Sequence, residues 1–348
     1  MKKPIITILQ YLFFLGLGIF FVWLSVKDIN AEQWKQIKDS IQRARYWMII
    51  PAFLLLFIAH WSRAIRWKIL MEPLGYKPST FNTLAAVMIG YLVNTGVPRL
   101  GEVVKCTILS RYEKVRADRL VGTIVMERAV DVVCLLIVFL AALIFQGRFI
   151  GEHVAAIFHD FIYDQTGKTS VKKIALLVGG MVAGILLLYF LLKRFGHIDA
   201  VGKIKNILRG VWHGLTSIRL IEHRGKFIFH TILIWVLYLA GTTIGIYALS
   251  ETAHLGIGGG LTTLVFGSIG MIIAPGGIGA YAWIVSKLIG WYGMDETTTG
   301  NALGWLLWSV QTVIILIGGL IFFGLLSHYN KNREPATPAI SEQNIDVA

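Results

Sequence analysis

The chain has 348 residues, of which 55% are hydrophobic and only 15% charged, with a formal net charge of +13. Soluble domains carry charge on roughly a quarter of their residues, so this composition excludes an ordinary soluble enzyme and points to an integral membrane protein. Cys106 and Cys134 both sit in apolar surroundings and read as small buried hydrophobes, and no HExxH, paired CxxC or GxxxxGK[ST] pattern signals a metal or nucleotide site. No metal and no cofactor is expected.

A bilayer crossing needs about 20 apolar residues. Runs of that length fall at 5–26, 47–70, 120–145, 174–192, 227–249 and 301–326. Two more regions, 81–110 and 259–292, are apolar but interrupted by Gly and Pro. They are either crossings or pairs of half-helices that enter and return. The predicted fold is therefore all-α: a polytopic transmembrane bundle of about six full spans plus two Gly/Pro-broken helix pairs. Residues 1–326 form the membrane-embedded domain, and 327–348, polar and Pro-containing, form a disordered cytoplasmic tail.

The first apolar run is longer than the core of a secretory signal and lacks a small-residue cleavage pattern, so it reads as a retained helix. After it, NAEQWKQIKDSIQRA repeats Trp34, Ile37, Ile41 and Ala44 at helical spacing, with Asn30 placed to cap the start. The segment 198–218 has the same character, with Lys203, Lys205 and Arg209 interleaved, which suits anionic headgroups at a membrane surface. Lys and Arg set orientation. With the N-terminus inside, the inner segments hold 21 of them and the outer segments 10, so both termini are expected in the cytoplasm of a bacterial plasma-membrane protein. The same bias accounts for the net charge without a nucleic-acid partner.

The helix ending in RAIRWK brings Arg63 and Arg66, which read first as positive-inside anchors beside an interfacial Trp67. A basic vestibule for anionic headgroups is the alternative. In NTGVPRLGEVVK, Pro98 and Gly101 break the helix that starts near residue 81, exposing amides at the start of a second half-helix beside Arg99. Such a break is tolerated at membrane depth only where protein or a watery cavity meets it. Arg99 and these amides, in the break framed by Asn94 and Gly101, thus become candidates for holding a lipid phosphate, and Glu102 for offsetting the helix dipole, pairing with Arg99 or Lys105, or meeting a substrate amine. In MERAVD, Glu127 and Asp131 share a helix face with Arg128 close by, either as internal glue or as the lining of a polar path. Late in the chain, Pro275, Gly276, Gly277 and Gly279 break the second interrupted region much as Pro98 and Gly101 break the first. Interrupted segments in corresponding positions of two halves mark a transport site near the midplane, and the orientation gives this pair inverted topology.

Arg-x-x-Arg-Trp at 63–67, Asn-x-x-x-Pro-x-x-Gly-Glu at 94–102, Glu-Arg-x-x-Asp at 127–131 and Pro-Gly-Gly-Ile-Gly at 275–279 together resemble the flippase-like membrane family. That family includes the transmembrane region of lysyl-phosphatidylglycerol synthases. The resemblance runs over about residues 5–326. It implies a bundle with re-entrant segments that moves polar lipids between leaflets, and, with only a short tail following, no synthase activity. It also implies a Glu shortly after the Gly-rich motif, where this sequence has Ala282.

The resulting expectation is a protein that binds an anionic or zwitterionic lipid and translocates it, with Arg99 and adjacent amides on phosphate. Glu102, Glu127 and Asp131 would face a headgroup amine or line the path. The alternatives are a membrane-embedded transferase acting on a lipid-linked donor and a scaffold for a separate enzyme. A homo-oligomer is left open.

Overall fold

A computed structural model describes residues 2–162 and 221–333. Among them there are ten α-helices of twelve or more residues and no strand. The expected span at 174–192, the surface helix at 198–218 and most of the tail lie outside the described residues.

Helix α1 (Lys2–Val26) turns through 99° into α2 (Ala31–Gln42). Asn30 caps α2 as expected: its side chain accepts from the Gln33 amide, and the Gln33 side chain accepts from the Asn30 amide. Next come α3 (Ile49–Met71), α4 (Thr80–Gly96), α5 (Leu100–Glu113) and α6 (Ala117–Ile162). After residue 221 follow α7 (Arg224–Tyr247), α8 (Gly256–Ile273), α9 (Ala280–Trp291) and α10 (Asn301–Asn330). Asp295 opens the turn before α10. The Thr297 hydroxyl and the amides of Thr297 and Thr298 donate to it and hold its carboxyl below the usual range.

At 23 and 24 residues, α3 and α7 are each about 35 Å long, enough to cross a bilayer. They run antiparallel. The Arg45 amide donates to the Ala248 carbonyl at one end, and His223 meets Glu72 at the other, 2.8 Å in each case. With no hydrophobic drive between helices inside a membrane, small residues govern how close they come, and Gly241 of α7 lies against Leu56 and Ala52 of α3. Lipid-facing positions are apolar, as along α6 at Leu136, Ile137, Leu140, Ile144 and Phe145.

Both interrupted regions turn back on themselves. In the first, Asn82 near the start of α4 donates to Glu113 at the end of α5, at 2.6 Å, while Asn94 near the end of α4 accepts from the Gly101 amide at 2.8 Å. Helices α4 and α5 therefore form a re-entrant hairpin with both ends on one face. In the second, Thr262 of α8 bonds Tyr292 just beyond α9 at 2.8 Å, and Gly270 packs on Tyr281. By length and apolarity Ala253–Ile273 qualifies as a span, but the return of α9 alongside it makes it one arm of a hairpin.

The first hairpin enters from the face where α3 ends and the second from the face where α7 ends. Because α3 and α7 are antiparallel, the hairpins enter from opposite faces and have inverted topology, as the basic bias predicted. Span, hairpin, span is repeated as α3 to α6 and as α7 to α10. The tips meet inside the bundle, where a β-carbon on Gly276 would lie 3.8 Å from the Thr95 β-carbon. The Trp308 indole donates to the Gly276 carbonyl at 2.8 Å, holding the second tip to α10.

Candidate functional site

Arg63 and Arg66 are three residues apart on α3, and Glu127 and Asp131 four apart on α6, so each pair shares a helix face. The two faces meet. Arg63 Nη1 lies 3.1 Å from Glu127 Oε1 and 2.8 Å from Asp131 Oδ2, and Arg66 Nη2 lies 2.7 Å from Asp131 Oδ1. From α5, Lys105 Nζ reaches Glu127 Oε2 at 3.2 Å and sits 4.4 Å over the Trp67 ring. Glu127, Arg66 and Lys105 are wholly buried. Buried charges persist only when paired, and here two carboxylates and three cations form one connected network, which Lys105 extends to Glu102 and Arg128.

Several expectations change at this point. Arg63 and Arg66 are not free surface anchors, because burial of Glu127 and Asp131 requires cations beside them. Trp67 is not an interface residue either; it is buried and its indole donates to Thr123 at 2.9 Å. Arg128 does not bridge Glu127 and Asp131. The helical step turns it away from their face, and it pairs with Glu102 on α5. Glu102 therefore meets Arg128, with Lys105 3.9 Å away, and not Arg99. The three carboxylates are engaged with cations of this chain, which leaves them poorly placed to receive a headgroup amine.

Arg99 stands at the first hairpin tip as the residue before α5, exposed, with φ of 68° and no hydrogen bond or ion pair among the described residues. Asn94 and Gly101 close that tip. The Gly101 amide is used by Asn94 and the Leu100 amide meets the Val97 carbonyl, so the half-helix start is less open than the sequence suggested. A β-carbon on Gly101 would fall 1.9 Å from the Gly90 carbonyl oxygen, so only Gly permits this approach. At the second tip Gly276, Gly277 and Gly279 have φ of 57°, 69° and 70° after Pro275. Ala282 is fully buried in α9, with its carbonyl and Cα packed on Gly304 of α10.

A cavity of about 430 Å³ runs between α3, α6, α7, α8 and α10. Its walls are mostly apolar, including Ala52, Leu56, Leu135, Leu264, Leu307 and Ile315. It extends from Met48 and Ala248 at one face to His60, Arg63, Tyr91, Arg128, Asp131 and Tyr238. From Ile49 to Arg63 is fourteen residues of α3, about 21 Å. Of the candidates read from sequence, Arg63, Arg128 and Asp131 line the cavity; the tip residues do not, although Met271, Ile272 and Tyr281 beside the second tip do. Lys105, Tyr91, Tyr238 and Trp235 belong to the site and were missed as members. Lys105 carried a signal, being a Lys at the sixth position of an apolar half-helix. The aromatic residues carried none, since aromatic side chains are common in any membrane helix.

The geometry defines a class: a multi-pass helical membrane protein with two inverted re-entrant hairpins and a buried ion network at the end of an apolar cavity. The chain belongs to the lysylphosphatidylglycerol synthase TM region family, whose model matches residues 8–319. It is also similar to a UPF0104 membrane protein of Methanocaldococcus jannaschii, at 27% identity over 133 residues. That match covers 37% of this chain and 36% of the relative, so it spans about a third of the relative's own length. No solved structure matches.

Proposed function

We propose that this protein binds a polar membrane lipid and moves it between the leaflets of a bacterial plasma membrane, with both termini cytoplasmic. The observation that carries this reading is the cavity: apolar walls suited to acyl chains lead to a cluster of Arg63, Arg128 and Asp131 suited to a headgroup. Paired, inverted, broken helices are what a site offered alternately to two faces requires, because each hairpin tip can part from its neighbour without unpairing a full span. Arg99, exposed at the first hairpin tip outside the cavity lining, is a further cation that a headgroup passing the tips would meet. Family membership supports the membrane setting and leaves the lipid to be found.

The test is reconstitution. Purified protein in liposomes should speed the exposure of a headgroup-labelled lipid to an external quencher while leaving that lipid's mass unchanged. A covalently altered lipid without faster exposure would favour a transferase instead.

A further inference from the structure

The charge of the cargo can be read from what the cavity leaves unpaired. The ion network contains Arg63, Arg66, Lys105 and Arg128 against Glu102, Glu127 and Asp131, an excess of one positive charge. Among the described residues, three buried polar atoms on residues that line the cavity have no hydrogen-bond partner: His60 Nδ1, Arg63 Nε and Trp235 Nε1. Arg63 is 5% exposed and His60 7%. The arginine and indole N–H groups can only donate. Arg63 and Trp235 both border Tyr238: its hydroxyl lies 3.5 Å from Arg63 Nη2, and its ring centroid lies 6.1 Å from that of Trp235. Among the described residues the one carboxylate that lines the cavity, Asp131, already holds an arginine on each oxygen. Unpartnered acceptors do occur at Glu102 and Glu113, but neither residue lines the cavity.

We propose, resting on the lipid-moving reading above, that the cavity takes lipids whose headgroup is net negative and discriminates against those bearing an added amine. Phosphodiester oxygens would accept from Arg63 Nε and Trp235 Nε1, satisfying donors whose burial without partners is costly. An ammonium would face the cations Arg63 and Arg128, while Asp131, the carboxylate among the described lining residues, is already paired with two arginines.

The experiment measures binding to the purified full chain in neutral detergent. The probes are phosphatidylglycerol, its lysyl ester and inorganic phosphate. Phosphatidylglycerol should bind at least about tenfold tighter than the lysyl ester, the size of one hydrogen bond to a charged group. Inorganic phosphate should bind far more weakly, because it leaves the apolar walls unfilled; phosphate binding as tightly as the lipid would overturn a lipid source. Trp235→Phe keeps the ring and removes the donor, and should weaken phosphatidylglycerol about tenfold with an unchanged thermal transition. Arg128→Gln, at a half-exposed position, removes the excess charge and should narrow the preference. Equal or tighter binding of the lysyl ester by the wild-type chain overturns the proposal. The two readings fail separately. Transport of all three phosphatidylglycerol, phosphatidylethanolamine and lysyl ester alike would sink this inference and leave lipid movement standing, whereas a clear anionic preference without transport would do the reverse.

Discussion

Glu127 illustrates what burial demands of a single residue. With no exposed surface and contacts to Arg63, Arg66 and Lys105, its carboxylate balances three cations that have no water to turn to. Glu127→Gln should destabilise the protein by about 3–5 kcal/mol, the usual cost of stranding a buried charge. The check is thermal unfolding in detergent. Adding Lys105→Gln to that variant should recover part of the loss, and no recovery would show that the cations are satisfied elsewhere. Arg99 is the opposite case. Its left-handed backbone costs about 1–2 kcal/mol for any residue but Gly. Arg99→Gly should therefore fold as well as or better than wild type. If the tip arginine meets the headgroup, lipid exposure in liposomes should slow despite that stability. A wild-type rate in the glycine variant would remove Arg99 from the route.

At the scale of elements, the hairpins depend on sites where a side chain has nowhere to go. A β-carbon on Gly279 would meet the Val22 backbone nitrogen at 2.3 Å while φ there is 70°. Gly279→Ala should cost about 2–4 kcal/mol, from the strained backbone and from displacement of α1. The loss should appear as a lowered thermal transition. The tips themselves lie at a bridging distance. The 3.8 Å between the Thr95 β-carbon and a β-carbon built on Gly276 equals the mean spacing in disulfides, about 3.8 Å. The double variant Thr95→Cys with Gly276→Cys should cross-link under mild oxidation, shown by slower exchange with a thiol-reactive mass tag. Oxidation should then halt lipid movement and reduction should restore it, if the tips must part during transport. Unimpeded movement with the bridge in place would mean that they need not.

For the whole molecule, the inverted arrangement of the hairpins follows from contacts alone, but which face is outside rests on the basic bias. Single cysteines at the exposed positions Asp28 and Lys114 lie on opposite faces. An impermeant thiol reagent applied to intact cells should label Asp28→Cys and spare Lys114→Cys. The reverse pattern would invert the protein in its membrane without altering the fold.

The sequence alone determined the membrane character, the helical class, the cap at Asn30 and the two breaks, because each is set by local chemistry. Apolar runs of bilayer length admit few other structures, Pro98 and Pro275 cannot continue a helix, and Asn30 bonds an amide three residues away. The family was legible too, through short motifs whose order survives along nearly the whole chain. Whether the breaks were crossings or returns was not, since a half-helix pair and a kinked span have the same composition; only the contacts of Asn82 with Glu113 and Thr262 with Tyr292 decide it. The partners of the charges were equally hidden. Spacing placed Glu127 and Asp131 on one face but could not say that α3 lies against it, so Arg63 and Arg66 read first as anchors, and glue and path lining stayed equal readings for Arg128. Ion pairing at low dielectric is a matter of ångströms across separate helices, and that distance exists only once the helices are packed.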